Sequence, residues 1–286
     1  MLENVQRHSC QRGDIVISYL EWNHPCDRRT PLLLLHGMAD CAMVWSSLGT
    51  YLAEQYWVIA PDLRGHGESS KPETGYSSEA IIADLEALMA HLGWEQAHIL
   101  GHSWGGKLAA IWASLAPQRF ASLILVDPFY INKLPGWLKI TFPLLYRVLS
   151  FLQGMGPFPS QAAASELAKT LKQYRQWSDL QQRVFNASIE TKPDGTWGSK
   201  FTLAARDGIF TDVMQKSGLT STLNIPSLFI QPTKGLNRTQ WQLKPYFRYL
   251  SNLKIQQVAG NHWVFLVNPD DFNQAIAEYL SQLGSS

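Results

Sequence analysis

Short apolar runs, each bounded by turn residues, alternate along the chain with longer stretches whose apolar positions recur at helical spacing. The runs are Leu32–Leu35 after Pro31, Trp57–Ala60 before Pro61, Ile99-Leu100 before Gly101, Leu123–Val126, Leu228–Ile230 after Pro226, and Ile255–Val258. Near-continuous apolarity fits strands covered on both faces. Strands separated by helices predict a mostly parallel sheet. The chain opens differently, with residues 4–10 and Ile15–Leu20 flanking Gly13-Asp14, which reads as a hairpin.

Between the runs, Ser78 is a plausible N-cap with Glu79 in the first turn, and Ile81, Leu85, Leu88, Met89 and Leu92 form one stripe ended by Gly93. A second helix starts near Trp104, carries Leu108, Ile111, Trp112 and Leu115, and stops before Pro117. The last has Asn268 as cap, Pro269 at its first position, acids at 270 and 271, and an apolar face of Phe272, Ile276, Tyr279, Leu280 and Leu283. The alternation breaks between about Phe129 and Leu223, a helical stretch rich in Gln, Ala and Leu. An insertion of that length between strands predicts a folded subdomain. The expected division is therefore a core of 1–128 and 224–286, with a helical cap of 129–223.

Composition narrows the class. Of 286 residues 45% are hydrophobic and 16% charged, which excludes a disordered chain or a coiled coil. Lys+Arg 24 against Asp+Glu 23 gives +1, so the whole-chain charge favours no nucleic-acid partner. Cys10, Cys26 and Cys41 have no metal-ligand spacing, and neither a metal nor another cofactor is expected. With no apolar leader and no run of ~18 apolar residues, a soluble cytoplasmic chain is expected. The most apolar stretch, Leu138–Leu152, is interrupted by Lys139, Pro143 and Arg147, and offers a face for peripheral membrane contact through the cap.

Gly101-His102-Ser103-Trp104-Gly105 follows a short apolar strand and opens a helix. In that context Gly-x-Ser-x-Gly becomes a nucleophile elbow, a strained turn that projects the serine hydroxyl beside a helix N-terminus. Here the chain resembles the α/β-hydrolase superfamily. Leu35-His36-Gly37-Met38-Ala39-Asp40 looks like its oxyanion loop, Asp62–Ser69 like the turn after its fourth strand, and Gly260-Asn261-His262-Trp263 like its catalytic-histidine segment. The resemblance implies a twisted, mostly parallel sheet of about eight strands flanked by helices, with the cap inserted after the sixth strand. It also implies backbone amides of Met38 and Trp104 as an oxyanion hole.

Serine needs a base at neutral pH, and His262 alone among eight histidines sits in a loop between a last strand and a last helix. His102, though adjacent to Ser103, reads as a packing residue, and His66 and Arg64 as braces of their turn. The acid departs from the usual pattern. After the seventh strand Gly235 stands where an aspartate is expected, and no carboxylate lies between Asp212 and Asp270. Asp127, closing Leu125-Val126-Asp127 at the sixth strand end, keeps the order nucleophile, acid, base. Asp207 and Asp212 are the substitutes. Serine rather than aspartate at the elbow argues against alkyl-ester chemistry of the dehalogenase or epoxide hydrolase kind. The expected reaction is ester cleavage through an acyl-enzyme on an apolar small molecule, with Phe129, Tyr130, Trp137, Phe142, Trp177, Phe210 and Trp263 as the pocket. Two other readings remain open: a carbon–carbon bond hydrolase of meta-cleavage products, for which Arg175, Arg183 or Arg206 would hold the carboxylate, and a non-catalytic ligand-binding protein on this fold. Oligomeric state is not legible.

Overall fold

A computed structural model describes residues 5–22, 29–133 and 155–284. Trp137, Phe142, the stretch Leu138–Leu152 and Cys26 lie outside them. Eight strands form one sheet in the order β1-β2-β4-β3-β5-β6-β9-β10. They are β1 (Val5–Arg12), β2 (Ile15–Trp22), β3 (Thr30–Leu35), β4 (Tyr56–Pro61), β5 (Ala97–His102), β6 (Phe120–Val126), β9 (Ser227–Lys234) and β10 (Leu253–Asn261). The opening hairpin β1-β2 is antiparallel and joins β4 antiparallel; every later pair is parallel.

Parallel pairing explains the unbroken apolar runs. In β3 and β6 successive side chains point to opposite faces, and both faces are dry because helices cover each. Leu33, Leu35, Leu123 and Leu125 enter one core with α2 (Ser78–His91) and α3 (Ser103–Leu115). Leu32, Leu34, Ile124 and Val126 enter the other. That second core is closed by α1 (Ser46–Leu52) and the C-terminal helix Pro269–Gly284, which buries Phe272, Ile276, Tyr279 and Leu280. The cap of α2 is Ser77, one residue before the expected Ser78, its side chain accepting from Ala80 N.

Between β6 and β9 the chain leaves the sheet for the cap. It contains α4 (Gln161–Ala168), α5 (Asp179–Ser188) and α6 (Leu203–Val213), and also an antiparallel ribbon of β7 (Ile189–Thr191) and β8 (Trp197–Ser199). The cap is helical as expected, and the ribbon is a short antiparallel addition to it. Its turn holds Asp194-Gly195, with Gly195 at φ +82° and Asp194 accepting from Thr196, which is hairpin chemistry. Buried Lys107 of α3 pins the cap at both ends, donating to the carbonyls of Tyr130 (2.8 Å), Asn132 (3.1 Å) and Val213 (2.5 Å). Burial draws its pKa down to about 7.

Candidate active site

The elbow is built by close backbone approach. Ser103 takes φ +52°, a left-handed conformation that costs a non-glycine residue of order 1–3 kcal/mol. A Cβ on Gly101 would lie 2.4 Å from the Gly105 carbonyl oxygen, and one on Gly105 2.4 Å from that of His36. Strand, helix and oxyanion loop can meet here only through glycine. Trp104 is the second residue of α3, so its N–H is among those a helix leaves without an intrahelical acceptor.

The oxyanion loop is held from behind by groups that carry no charge. His36 accepts from Leu63 N (3.0 Å), and His66 accepts from Ala39 N (3.2 Å). Both rings are fully buried, and burial lowers the pKa of each. Asp40 N closes the turn onto the Gly37 carbonyl (3.3 Å). The amides of residues 39 and 40 are thus used inside the protein, one step past Met38. Arg64 braces the neighbouring turn through two bonds to Asp84 (2.8 and 2.7 Å) and one to the Gly75 carbonyl (2.8 Å).

His262 follows β10, and its Nδ1 lies 2.6 Å from Asp127 Oδ2. A carboxylate only accepts, so Nδ1 carries the proton, and in the neutral ring that tautomer makes Nε2 the acceptor. Asp127 sits one residue past β6 at φ +40° and is fully buried. Its carboxylate also accepts from Leu236 N (2.7 Å), Asn237 N (3.0 Å) and Asn237 Nδ2 (3.0 Å). Burial works against its charge, but the His262 bond and charge, then the Leu236 and Asn237 donors, outweigh it and hold the group below the usual carboxylate range. Gly235 explains the unusual position. A Cβ there would stand 2.6 Å from Asp127 Oδ2, so the carboxylate from β6 occupies the space of a side chain from the loop after β9.

The substitute acids are engaged elsewhere. Asp207 pairs with Arg206 (2.8 Å), and Asp212 accepts from Ser78 N (2.9 Å) at the start of α2. His102 is buried and donates from Nε2 to the His262 carbonyl (3.0 Å), tying down the loop that carries the other imidazole. Its Nδ1 faces Asp40 Oδ2 at 3.6 Å, and neither of those atoms has a hydrogen-bond partner.

Between the oxyanion loop and the cap lies a narrow cleft lined by Met38, Asp40, Tyr174, Phe185 and Trp263 among others. Of the aromatic residues expected there, Trp263 takes part. Phe210 instead is 2% exposed in the core beneath α6, because that helix turns it inward against α2 and α3. Trp177 packs on Phe185 (5.7 Å) rather than lining the cleft, Phe129 packs against the core, and Tyr130 lies on a different cleft, stacked with Trp241 (6.3 Å). Residues that sequence reasoning missed are Asn237, Tyr174 and Phe185. Asn237 had a signal, standing two residues past the glycine that replaces the expected acid.

The model of the family described as alpha/beta hydrolase fold matches residues 30–271, and the chain belongs to that family. The elbow serine and the histidine–aspartate pair make it a serine hydrolase for ester-like bonds. It is similar to a soluble epoxide hydrolase of Corynebacterium sp. (strain C12), 38% identical over 117 residues, which spans 40% of this chain and only 39% of that protein. It is 25% identical to a fluoroacetate dehalogenase of Burkholderia sp., over 100% of this chain and 97% of that one. Among solved structures, E-2-(acetamidomethylene)succinate hydrolase superposes with a TM-score of 0.78 at 19% identity, covering 97% of this chain and all of the other. A marine microorganism esterase gives 0.71 at 22% identity, covering 93% and 98%. At those identities both superpositions speak for the fold alone.

Proposed function

We propose that the protein cleaves a carboxylic ester of a lipophilic small molecule through an acyl-enzyme on Ser103. His262 Nε2 takes the hydroxyl proton during attack and returns it to the leaving alcohol, and water then repeats the sequence to release the acid. Asp127 fixes the His262 tautomer and steadies the imidazolium, and the Met38 and Trp104 amides receive the oxyanion. The observation that carries the reading is the His262–Asp127 bond, made by an acid whose space at Gly235 was cleared for it. Epoxide and carbon–halogen cleavage, suggested by the names of two relatives, would need a carboxylate at position 103.

The lipophilic preference is supported by Met38, Tyr174, Phe185 and Trp263 around the cleft. A reducing, cytoplasmic setting is supported by Cys10 and Cys41, both free and buried. Turnover of aryl esters graded by acyl length tests the substrate class. The expected kcat/KM rises with chain length beyond acetate. Best activity on short charged acids would contradict it, and turnover of coloured dienoates without ester cleavage would favour the carbon–carbon reading. Of the three arginines which that reading would need, Arg175 and Arg183 are exposed and Arg206 is paired with Asp207.

A further inference from the structure

The near-neutral chain hides a strong local imbalance. No acid lies between Asp212 and Asp270, while Lys216, Lys234, Arg238, Lys244, Arg248 and Lys254 all fall there. Six cations in a chain of net +1 leave −5 for everything else. Lys216 is neutralised by Glu79 and Asp212. Lys234, Arg238, Lys244 and Arg248 are exposed, and among the described residues none pairs with a carboxylate. Lys234 closes β9, Arg238 lies in the loop after it, and Lys244 and Arg248 lie on the helix that follows, α7 (Gln240–Tyr249).

Apolar side chains are exposed on the same segment. Leu236 is 45%, Trp241 67% and Phe247 56% exposed, three of the seven large apolar side chains that face solvent among the described residues. At 3.6 residues per turn, Trp241, Lys244, Phe247 and Arg248 fall within about a third of the helix circumference. Between that face and the chain leaving β6 opens a cleft of about 200 Å³, lined by Tyr130, Asn132, Trp241, Lys244 and Arg248. The face adjoins the reaction centre, since Leu236 and Asn237 hold the Asp127 carboxylate.

We propose that this face docks the protein on an anionic lipid bilayer, with Leu236, Trp241 and Phe247 entering the interface and the four cations meeting lipid phosphates. Aromatic rings favour the headgroup boundary, and long cationic side chains reach phosphate while their stems cover apolar surface. Either signal alone gives marginal binding; together they give a stable surface contact. A second copy of this chain fits less well, because a two-fold contact would set like charges against each other. Docking is independent of the ester reading, as it is measured without turnover.

The test is co-sedimentation of the full chain with vesicles of phosphatidylcholine alone and of phosphatidylcholine mixed with phosphatidylglycerol. Binding is expected only to the mixed vesicles and is lost at high salt. The Lys244→Gln/Arg248→Gln variant should bind about thirtyfold more weakly, at roughly fivefold per cation. Trp241→Ala/Phe247→Ala should also weaken binding, while circular dichroism matches wild type for both. Equal binding to the two vesicle types, no binding, or affinity untouched by either double variant overturns the proposal. So does a solution dimer that these variants dissolve in a protein that ignores lipid.

Discussion

Two histidine–carboxyl pairs lie side by side at the end of the sheet that carries Ser103, their rings 4.5 Å apart, and their carboxyls are held differently. In the first, Asp127 meets His262 at 2.6 Å and receives three further donors, so the acid stays ionised although it is buried. In the second, Asp40 and His102 face each other at 3.6 Å without a hydrogen bond. Burial pushes Asp40 up to about 6 and, with the neighbouring His262 charge, holds His102 well below its usual value. His102 spends its one proton on the His262 carbonyl, so its Nδ1 lone pair points at an oxygen that also only accepts. Both pairs are dry. Asp127 gathers four donors and stays ionised, whereas Asp40 is bonded by the Trp263 side chain but keeps its Oδ2 without a donor.

The comparison can be broken by exchanging carboxylates for amides. Asp127→Asn should lower ester kcat by roughly 10⁴, because the wrong imidazole tautomer is then favoured. Asp40→Asn should stay within about tenfold, since that side chain touches no reacting atom. Parallel initial-rate assays check both. Gly235→Ala should cost about 100-fold, comparable to losing an active-site hydrogen bond, by pressing a methyl group against Asp127. Moving the acid sharpens the point. Asp127→Ala with Gly235→Asp should recover at least about tenfold over Asp127→Ala alone, as position 235 aims its Cβ at the vacated space.

The smallest effect is on stability, and its sign depends on pH. The folded-state pKa of Asp40 is raised from 3.8 to about 6. The native state therefore holds its proton longer than the unfolded chain does, and wild type loses stability as pH climbs from about 4 to about 6. Above that range the buried charge costs about 3 kcal/mol at two pKa units. Asp40→Asn removes the charge and supplies an N–H for His102 Nδ1. Urea midpoints should show the variant more stable at pH 8, by up to about 3 kcal/mol, with the advantage shrinking toward pH 4.

Much of this site was legible in the sequence because backbone geometry demanded particular residues. Gly101 and Gly105 are required by contacts of 2.4 Å, and the strand runs by a sheet buried on both faces. Asp127 was suggested by the α/β-hydrolase resemblance, which looks to the sixth strand end once Gly235 and an acid-free stretch from 213 to 269 leave no carboxylate after the seventh, with Asp207 and Asp212 still open. What escaped came from tertiary packing. Nothing in the order of residues says that Phe210 turns into the core while Tyr174 and Phe185 face the cleft, because a cap presents aromatic rings on both faces. The β7-β8 ribbon was missed because its strands are three residues long, too short for a period to register. The cationic face of α7 was hidden by averaging, since charge was summed over the whole chain.

The most direct test is the rate at which a fluorophosphonate probe labels the protein, which reports hydroxyl activation without any choice of substrate. Wild type should be labelled and Ser103→Ala should not. Asp127→Asn should react about 10³-fold or more slowly, and Asp40→Asn within about tenfold of wild type. Undiminished labelling of Ser103→Ala, or equal losses in Asp127→Asn and Asp40→Asn, would contradict the assignment of Asp127 and His262 as the pair that activates the serine.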